Sequence, residues 1–201
     1  MIAKIGVDTA KNEPSKVSRK WGVQSGSFRD HRSVICVCGP RGHGKSTFLQ
    51  LLGNVLVPDD GEVFVPPHLR ILHVSSEVLF IEEEIKDNLF FGNGMEKVSD
   101  AQWQRALRIC EKLEFPDRLM DYVRSQGSTV EWMMNNAAVL SRSDRALLHI
   151  TRAFIYNPEV LVIHNPTLLL DGQLQQPLLE ALRAFADERG LEMPPESRHK
   201  P

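Results

Sequence analysis

Val34-Ile-Cys-Val-Cys-Gly39-Pro-Arg-Gly-His-Gly44-Lys-Ser46-Thr47 is the stretch that decides the fold. A short apolar run leads into G-x-x-x-x-G-K-S, and an apolar helical pattern follows at once. The spacing predicts a strand from Val34 to Gly39, a phosphate-cradling loop, and a helix beginning at Lys45. Gly39, Gly42 and Gly44 let the backbone close on a phosphate with no Cβ in the way. Pro40, Arg41 and His43 fill the loop between them. The loop N–H groups and the helix N-terminus then face the anion. Lys45 places a positive charge at the β- and γ-phosphates, and Ser46, followed by Thr47, offers a hydroxyl to Mg²⁺. A glycine-rich turn that merely happens to carry Lys-Ser has no need of a strand before it and a helix after it.

The rest of the composition sets bounds. With 201 residues, 42% of them hydrophobic, the chain can build one domain with its own core. The 24 basic and 26 acidic residues nearly cancel, to −2, and nothing in that favours a nucleic-acid partner. The three cysteines are odd in number and scattered. Cys36 and Cys38 are expected on opposite pleats of the Val34 strand, as core thiols and not a metal pair. No downstream Cys/His cluster completes a zinc site, and a reduced intracellular compartment is the simplest inference. The first sixteen residues lack the apolar core of a signal peptide. No run approaches the ~18 apolar residues of a membrane-crossing helix, so work at a membrane requires another anchor.

Residues 1–30 are polar and weakly patterned, with a turn at Asn12-Glu-Pro-Ser. The helix from Lys45 carries Phe48, Leu51 and Leu52 on one side and is expected to reach about Val57, before Pro58-Asp-Asp-Gly61. Glu62–Val65 and Ile71–Val74 are strand candidates. A short helix is predicted over 82–90. Ser99 with Gln102 forms a capping box, and Trp103, Leu107, Cys110 and Leu113 give the buried stripe behind it. A further helix starts near Pro116, with Leu119 and Tyr122 inward. Leu140-Ser-Arg-Ser-Asp144 opens another helix, which ends at Asn157-Pro158. Val160–Ile163 is a β-branched apolar run, expected to be a strand buried on both faces. A last helix is predicted over 176–188, with Pro177 in its first turn and Gly190 past its end. Strands alternating with helices argue an α/β core with a parallel sheet.

In this order the segments resemble the nucleotide-binding domain of ABC transporters, from about Val34 to Arg189. Gly39–Thr47 matches Walker A in full. His73-Val-Ser-Ser-Glu77 and Ile85-Lys-Asp-Asn-Leu-Phe-Phe-Gly92 resemble the Q-loop and the segment after it. Leu140-Ser-Arg-Ser-Asp144-Arg stands where the family writes LSGGQR. Arg152-Ala-Phe-Ile-Tyr-Asn-Pro158 is similar to its RALLxxP. Leu161-Val-Ile-His-Asn-Pro-Thr167 stands for LLLDEPT, and Leu170-Asp171 for the D-loop. The resemblance implies a P-loop NTPase of the RecA-like kind. Its mainly parallel sheet core would span 31–75 and 140–190, with an α-helical subdomain inserted at 76–139, a lead-in at 1–30 and a tail at 191–201. Strands missing from both ends read as truncation, which would leave sheet edges unfinished.

The departures carry as much information. His164 holds the position of the family's metal-binding Walker B Asp, and imidazole is a poor ligand for Mg²⁺, which wants hard oxygens. Asn165 holds that of the general base Glu. An amide orients a water but takes no proton at neutral pH. Ser76 holds that of the Q-loop Gln and is too short to reach the same metal and water, with Glu77 beside it as a weak substitute. The signature keeps Ser141, directed at the partner's site. Arg142, Ser143 and Asp144 replace both glycines and the Gln, so side chains obstruct the approach of a helix N-terminus to the γ-phosphate. Asp144 is expected to bring negative charge near that phosphate, with Arg142 offsetting it. His199 in the tail does not match the family's switch His. Trp21 lies closer to Walker A than the family's adenine-stacking aromatic, and packing is its simpler role.

Three readings follow. The chain binds ATP, with weakened Mg²⁺, and hydrolyses it poorly. Or it is a working ATPase using substitute residues. Or it is a non-catalytic scaffold that pairs with another ABC-type domain. The intact Gly-Lys-Ser favours the first over the third, and the lost acids favour it over the second. A small GTPase is disfavoured because Asn-Lys-x-Asp is lacking, and a P-loop kinase would leave the later motifs unexplained. The resemblance further implies a second nucleotide-binding domain as partner, in a dimer. It also implies transmembrane domains on a separate or missing segment, and a peripheral place on the cytoplasmic side of a membrane. The helical insert, about 76–136, would face the membrane partner, although core packing is the simpler role for at least two of Phe80, Phe90 and Phe91.

Overall fold

The parallel pairing of two four-residue apolar runs, Ile71–Val74 and Val160–Ile163, organises the α/β part of the chain. The computed structural model describes residues 33–81, 83–93, 98–125, 140–194 and 196, and the backbone at 3–6 and 26–28. In chain order the described elements are β1 (Ala3–Gly6), β2 (Gly26–Phe28), α1 (Lys45–Leu52), β3 (Glu62–Phe64), β4 (Ile71–Val74), α2 (Ile85–Phe90), α3 (Asp100–Lys112), α4 (Asp117–Ser125), α5 (Arg142–Tyr156), β5 (Val160–Ile163) and α6 (Gly172–Glu188). The Asn12–Ser15 turn, Trp21, the end of the helical insert beyond Ser125 and His199 lie outside the described residues.

β4 and β5 run in register from Ile71 opposite Val160 to Val74 opposite Ile163. The hydrogen bonding continues past both ends. The Val160 N–H donates to Arg70 O at 3.1 Å and the His164 N–H to Val74 O at 3.0 Å. Arg70 and Glu159 fasten the entry to the pair, the backbone N–H of Arg70 donating to Glu159 Oε2 at 2.8 Å. Burial alone would raise the Glu159 carboxyl, but the hydrogen bonds from Arg70 hold it below its ordinary value. β1 pairs antiparallel with both β2 and β3 in a second, three-stranded sheet, where the sequence shows only weak patterning.

The core lies among α2, α3, α4, α5 and α6, around Ile85, Ile109, Leu119, Leu147, Phe154 and Leu178, all fully buried. The Ser99–Gln102 capping box is present: the Gln102 side chain accepts from the Ser99 N–H at 2.8 Å, and Ser99 Oγ accepts from the Gln102 N–H. Asn88 is fully buried. Its side chain accepts from the Ile81 N–H at 2.9 Å and donates to the carbonyls of Ile81, Glu83 and Glu84. These bonds tie Ile81, Glu83 and Glu84 to Asn88 of α2, which begins at Ile85. Phe90 is buried and Phe80 packs on the core, whereas Phe91 is exposed. Arg105 of α3 donates to three carbonyls, those of Leu191, Ile155 and Phe154, at 3.0, 2.9 and 2.9 Å. Burial lowers its pKa to about 10, so it stays charged at neutral pH.

Several expectations are corrected. Residues 33–40 form no strand: Val34 and Ile35 are 52% and 51% exposed, and Cys36 and Cys38 are exposed, not core thiols. Nor do the two cysteines sit on opposite pleats. Residues two apart on an extended chain share a face, and the sulfurs lie 3.4 Å apart. β5 accordingly pairs with β4 alone among the described strands, and only Val162 of its four residues is buried. α1 stops at Leu52, five residues early. Gly53 caps it, Asn54 follows at φ 56°, and the helix end passes so close to β4 that a Cβ on Gly53 would stand 2.6 Å from His73 Cβ. α6 begins at Gly172, before Gln176, because the Leu174 N–H closes a turn on Asp171 O at 2.9 Å; Pro177 therefore falls in its second turn. No helix among the described residues is long and apolar enough to cross a membrane.

Candidate nucleotide site

Residues 39–44 form a loop with the backbone that the glycines permit, and α1 follows from Lys45. Gly42 and Gly44 lie at φ 81° and 75°, conformations that a side chain disfavours, and Gly44 is the left-handed N-cap of α1. The Phe48 N–H closes the first helical turn on Gly44 O at 2.8 Å. The N–H groups ahead of it have no partner within the helix and point along its axis toward the loop. Lys45 reaches back across the loop, its Nζ 2.8 Å from Gly39 O and 2.7 Å from Pro40 O. These carbonyls hold the ammonium at the loop's mouth. Pro40, Arg41 and His43 are exposed along the same loop, and Thr47 lies on the exposed side of the first turn.

Ser46 joins this loop to the end of β5. Its Oγ lies 2.8 Å from His164 Nε2, across 118 residues of chain. His164 is placed by the ladder hydrogen bond from its N–H to Val74 O. Asn165 follows in a left-handed conformation, φ 50°, with Nδ2 3.4 Å from the same imidazole nitrogen. A solvent-open cleft of about 280 Å³ lies beside these residues, and Ser75, Ser76, His149, His164, Asn165 and Leu169 are among those lining it. The structure thus brings Ser46, Ser76, His164 and Asn165 to one place. Mg²⁺ takes oxygen ligands in a near-octahedral shell. Here the group nearest Ser46 Oγ is an imidazole nitrogen, and no lining residue is a carboxylate. Among the described residues no group of three or more His, Cys, Asp and Glu is placed to hold a metal. The donor set does not fit Mg²⁺.

Ser141 caps α5. Its Oγ accepts from the Asp144 N–H at 3.0 Å, and the Asp144 carboxylate accepts from the Ser141 N–H at 2.9 Å. The expectation that Asp144 charges a phosphate site is corrected. Its side chain is 3% exposed, and Arg118 of α4 pairs with it. Its acidity is directed into the helical part of the chain. Arg142 is exposed beside it. Ser143 is buried and accepts from the Asp171 N–H at 3.1 Å, linking the start of α5 to the start of α6.

Two histidines beside the site are given no role by the sequence motifs. His149 lines the cleft from α5. Burial, and then the charge of Arg152, push it down to about 4, so it is neutral at pH 7. Neither ring nitrogen has hydrogen-bonding geometry to a partner, although the Ser75 backbone is near enough to oppose the shift. His73 is lowered by burial and then by His164. The signal for His149 was a lone imidazole between the buried Leu148 and Ile150. For His73 it was the odd polar position in β4.

The family model for ABC transporters matches residues 29–168. The spermidine/putrescine import ATP-binding protein of Bacillus cereus is 28% identical over 171 residues, covering 78% of this chain and 47% of that protein. The molybdate/tungstate import ATP-binding protein of Methanocaldococcus jannaschii is 24% identical over 183 residues, covering 86% and 57%. The chain therefore spans about half the length of these relatives. Among solved structures, a dimeric bacterial ABC transporter cassette superposes with a TM-score of 0.66 at 18% identity, over 96% of this chain and 85% of that one. A post-hydrolysis state of an ATP-binding cassette, bound to ADP and Pi, gives 0.65 at 18% identity, over 95% and 85%. That likeness carries the P-loop NTPase fold. Taken with the family match, it establishes that the chain belongs to the ABC transporter family, as an ATP-binding domain.

Proposed function

We propose that this ATP-binding domain holds ATP on residues 39–47 and hydrolyses it slowly or not at all. The observation that carries the reading is the contact of Ser46 with His164, with Asn165 alongside. Asn165 can orient a water but cannot take its proton, and loss of a general base typically costs about 10²–10⁴ in rate. His164 engages the Ser46 hydroxyl, so dependence on Mg²⁺ is weakened. Ser141 would face the nucleotide of a second cassette in a dimer. Ser76, at the glutamine position, is too short to complete this chain's own site. Core segments 31–75 and 140–190 bind the nucleotide. The insert, 76–139, meets membrane domains carried on another segment, through a surface that includes the exposed Leu79 and Phe91. The domain then works peripherally, on the cytoplasmic face.

ATP titration of the purified chain tests the binding. Lys45→Ala should weaken it about tenfold or more, because a charge-assisted phosphate contact is lost. Equal affinity in both proteins would favour a scaffold instead. Turnover tests the rest. Asn165→Glu alone should gain little, and His164→Asp with Asn165→Glu, assayed with an intact partner cassette, should gain much more. Robust Mg²⁺-dependent turnover by the unmodified chain, abolished by Lys45→Ala, would establish that substitute residues suffice.

A further inference from the structure

The chemistry around Ser46 bears on the form in which a nucleotide is taken. Ligands of Mg²⁺ stand at about 2.0–2.1 Å from the ion, so adjacent oxygens of its shell lie about 2.9 Å apart. His164 Nε2, 2.8 Å from Ser46 Oγ, stands at that spacing and is a nitrogen. The next polar group, Asn165 Nδ2, is a hydrogen-bond donor and no ligand. His73 adds another imidazole on the neighbouring strand, close enough that His164 lowers its pKa. The cleft contributes only serines, histidine, an amide and apolar groups. Positive charge is supplied from the other side. The loop carries Arg41, exposed, and Lys45, whose ammonium is held at the mouth by two carbonyls.

We infer that this site takes the nucleotide free of metal. The polyphosphate is met by Arg41, Lys45 and the loop N–H groups, and the hydrogen-bonded Ser46–His164 pair stands where the cation would be. The inference rests on the ATP-binding reading above and deepens it. A metal-free triphosphate brings more negative charge than its Mg²⁺ complex, and a loop with Arg41 in addition to Lys45 suits the extra charge. Imidazole and amide N–H groups at the base of the site can donate to phosphate oxygens, which carboxylates cannot do.

Isothermal titration of the full chain with ATP, in excess EDTA and in excess Mg²⁺, tests this. The unmodified chain should bind about threefold or more tightly in EDTA than in Mg²⁺, where nearly all the ATP is the metal complex, and equal affinity in the two buffers counts against the inference. His164→Asp should bind about tenfold or more weakly in EDTA than in Mg²⁺, since an acid placed there repels bare phosphate and attracts the ion. Arg41 is exposed, so Arg41→Gln leaves folding intact even where His164→Asp does not. It should weaken binding in EDTA about tenfold. Binding that appears only with Mg²⁺ overturns the inference and leaves the ATP reading standing. Binding that requires Mn²⁺ or Co²⁺ overturns it too, and makes the Ser46–His164 pair a site for a softer metal. Unchanged EDTA affinity in Arg41→Gln counts against it. Absence of ATP binding in every buffer overturns both the inference and the reading beneath it.

Discussion

Replacing Arg118 by alanine should cost about 1–3 kcal/mol of stability. The Asp144 side chain is 3% exposed, and its carboxylate accepts from Arg118 Nη2 and from the Ser141 N–H. Removing one partner of a buried ion pair costs about 3–5 kcal/mol when the remaining charge is uncompensated. Two features lower that figure here. The Ser141 N–H remains, worth about 1 kcal/mol. Asp144 also lies in the first turn of α5, where the helix dipole favours an anion by about 0.3–1 kcal/mol. Arg118 is itself half exposed, so solvent screens the pair and lowers its worth further. For a chain of this size the loss corresponds to a fall of about 2–10 °C in Tm. Thermal melts of Arg118→Ala, Asp144→Asn and the double variant measure it. In the Asp144→Asn background, Arg118→Ala should cost under about 0.5 kcal/mol, which gives a clear coupling energy. If Arg118→Ala melts with the unmodified chain, or the two changes simply add, Asp144 faces solvent and the charge it brings belongs to the phosphate site after all.

His149 is held down at about 4, below the ordinary value of about 6.5, so the unfolded chain binds the extra proton. Its contribution is present above pH 6.5 and is lost as pH falls toward 4. The group is only half-buried, so the loss is limited to about 1–2 kcal/mol, and urea melts at stepped pH should flatten in His149→Leu. Cys36 and Cys38 should be alkylated in the native chain, Cys36 the more slowly because its hydrogen bond with Cys38 pushes its thiol up. Cys110, whose thiol burial pushes up to about 12, should react only on unfolding; mass spectrometry that finds all three protected would contradict the exposed run ahead of Gly39. Gly53→Ala should destabilise by about 1–3 kcal/mol by forcing α1 and β4 apart, as read by a shift in denaturant midpoint without loss of cooperativity.

Local chemistry made much of this fold legible. The Ser99–Gln102 box, the β-branched Val160–Ile163 run and the glycine spacing of 39–44 are each complete within a few residues, and each forms the element that its spacing predicts. The failures share a different origin. Whether Val34–Cys38 is buried depends on a neighbouring strand, which no local pattern contains. The end of α1 is set by His73, twenty residues further on, since only the close passage of β4 makes Gly53 more than a tolerated glycine. Asp144 looks like a charge near phosphate until Arg118, on another helix, is known to face it. The contact of Ser46 with His164 was implicit in the order of motifs, but its geometry was not. That an imidazole would hydrogen-bond the hydroxyl required both side chains in place.

The three carbonyls held by Arg105 alter how the helices transmit force. At one end of α5 the guanidinium clamps the last turn and the segment at Leu191 to α3. At the other end Arg118 grips Asp144 from α4. α5 is therefore braced at both ends, by α3 at its last turn and by α4 at its first. Bending α5, or sliding α3 or α4 along it, strips hydrogen bonds from a largely buried charge and is resisted at both ends. Ser141 sits at the α4 end of α5, its N–H on the same carboxylate that Arg118 grips, so strain in α4 reaches Ser141 through Asp144.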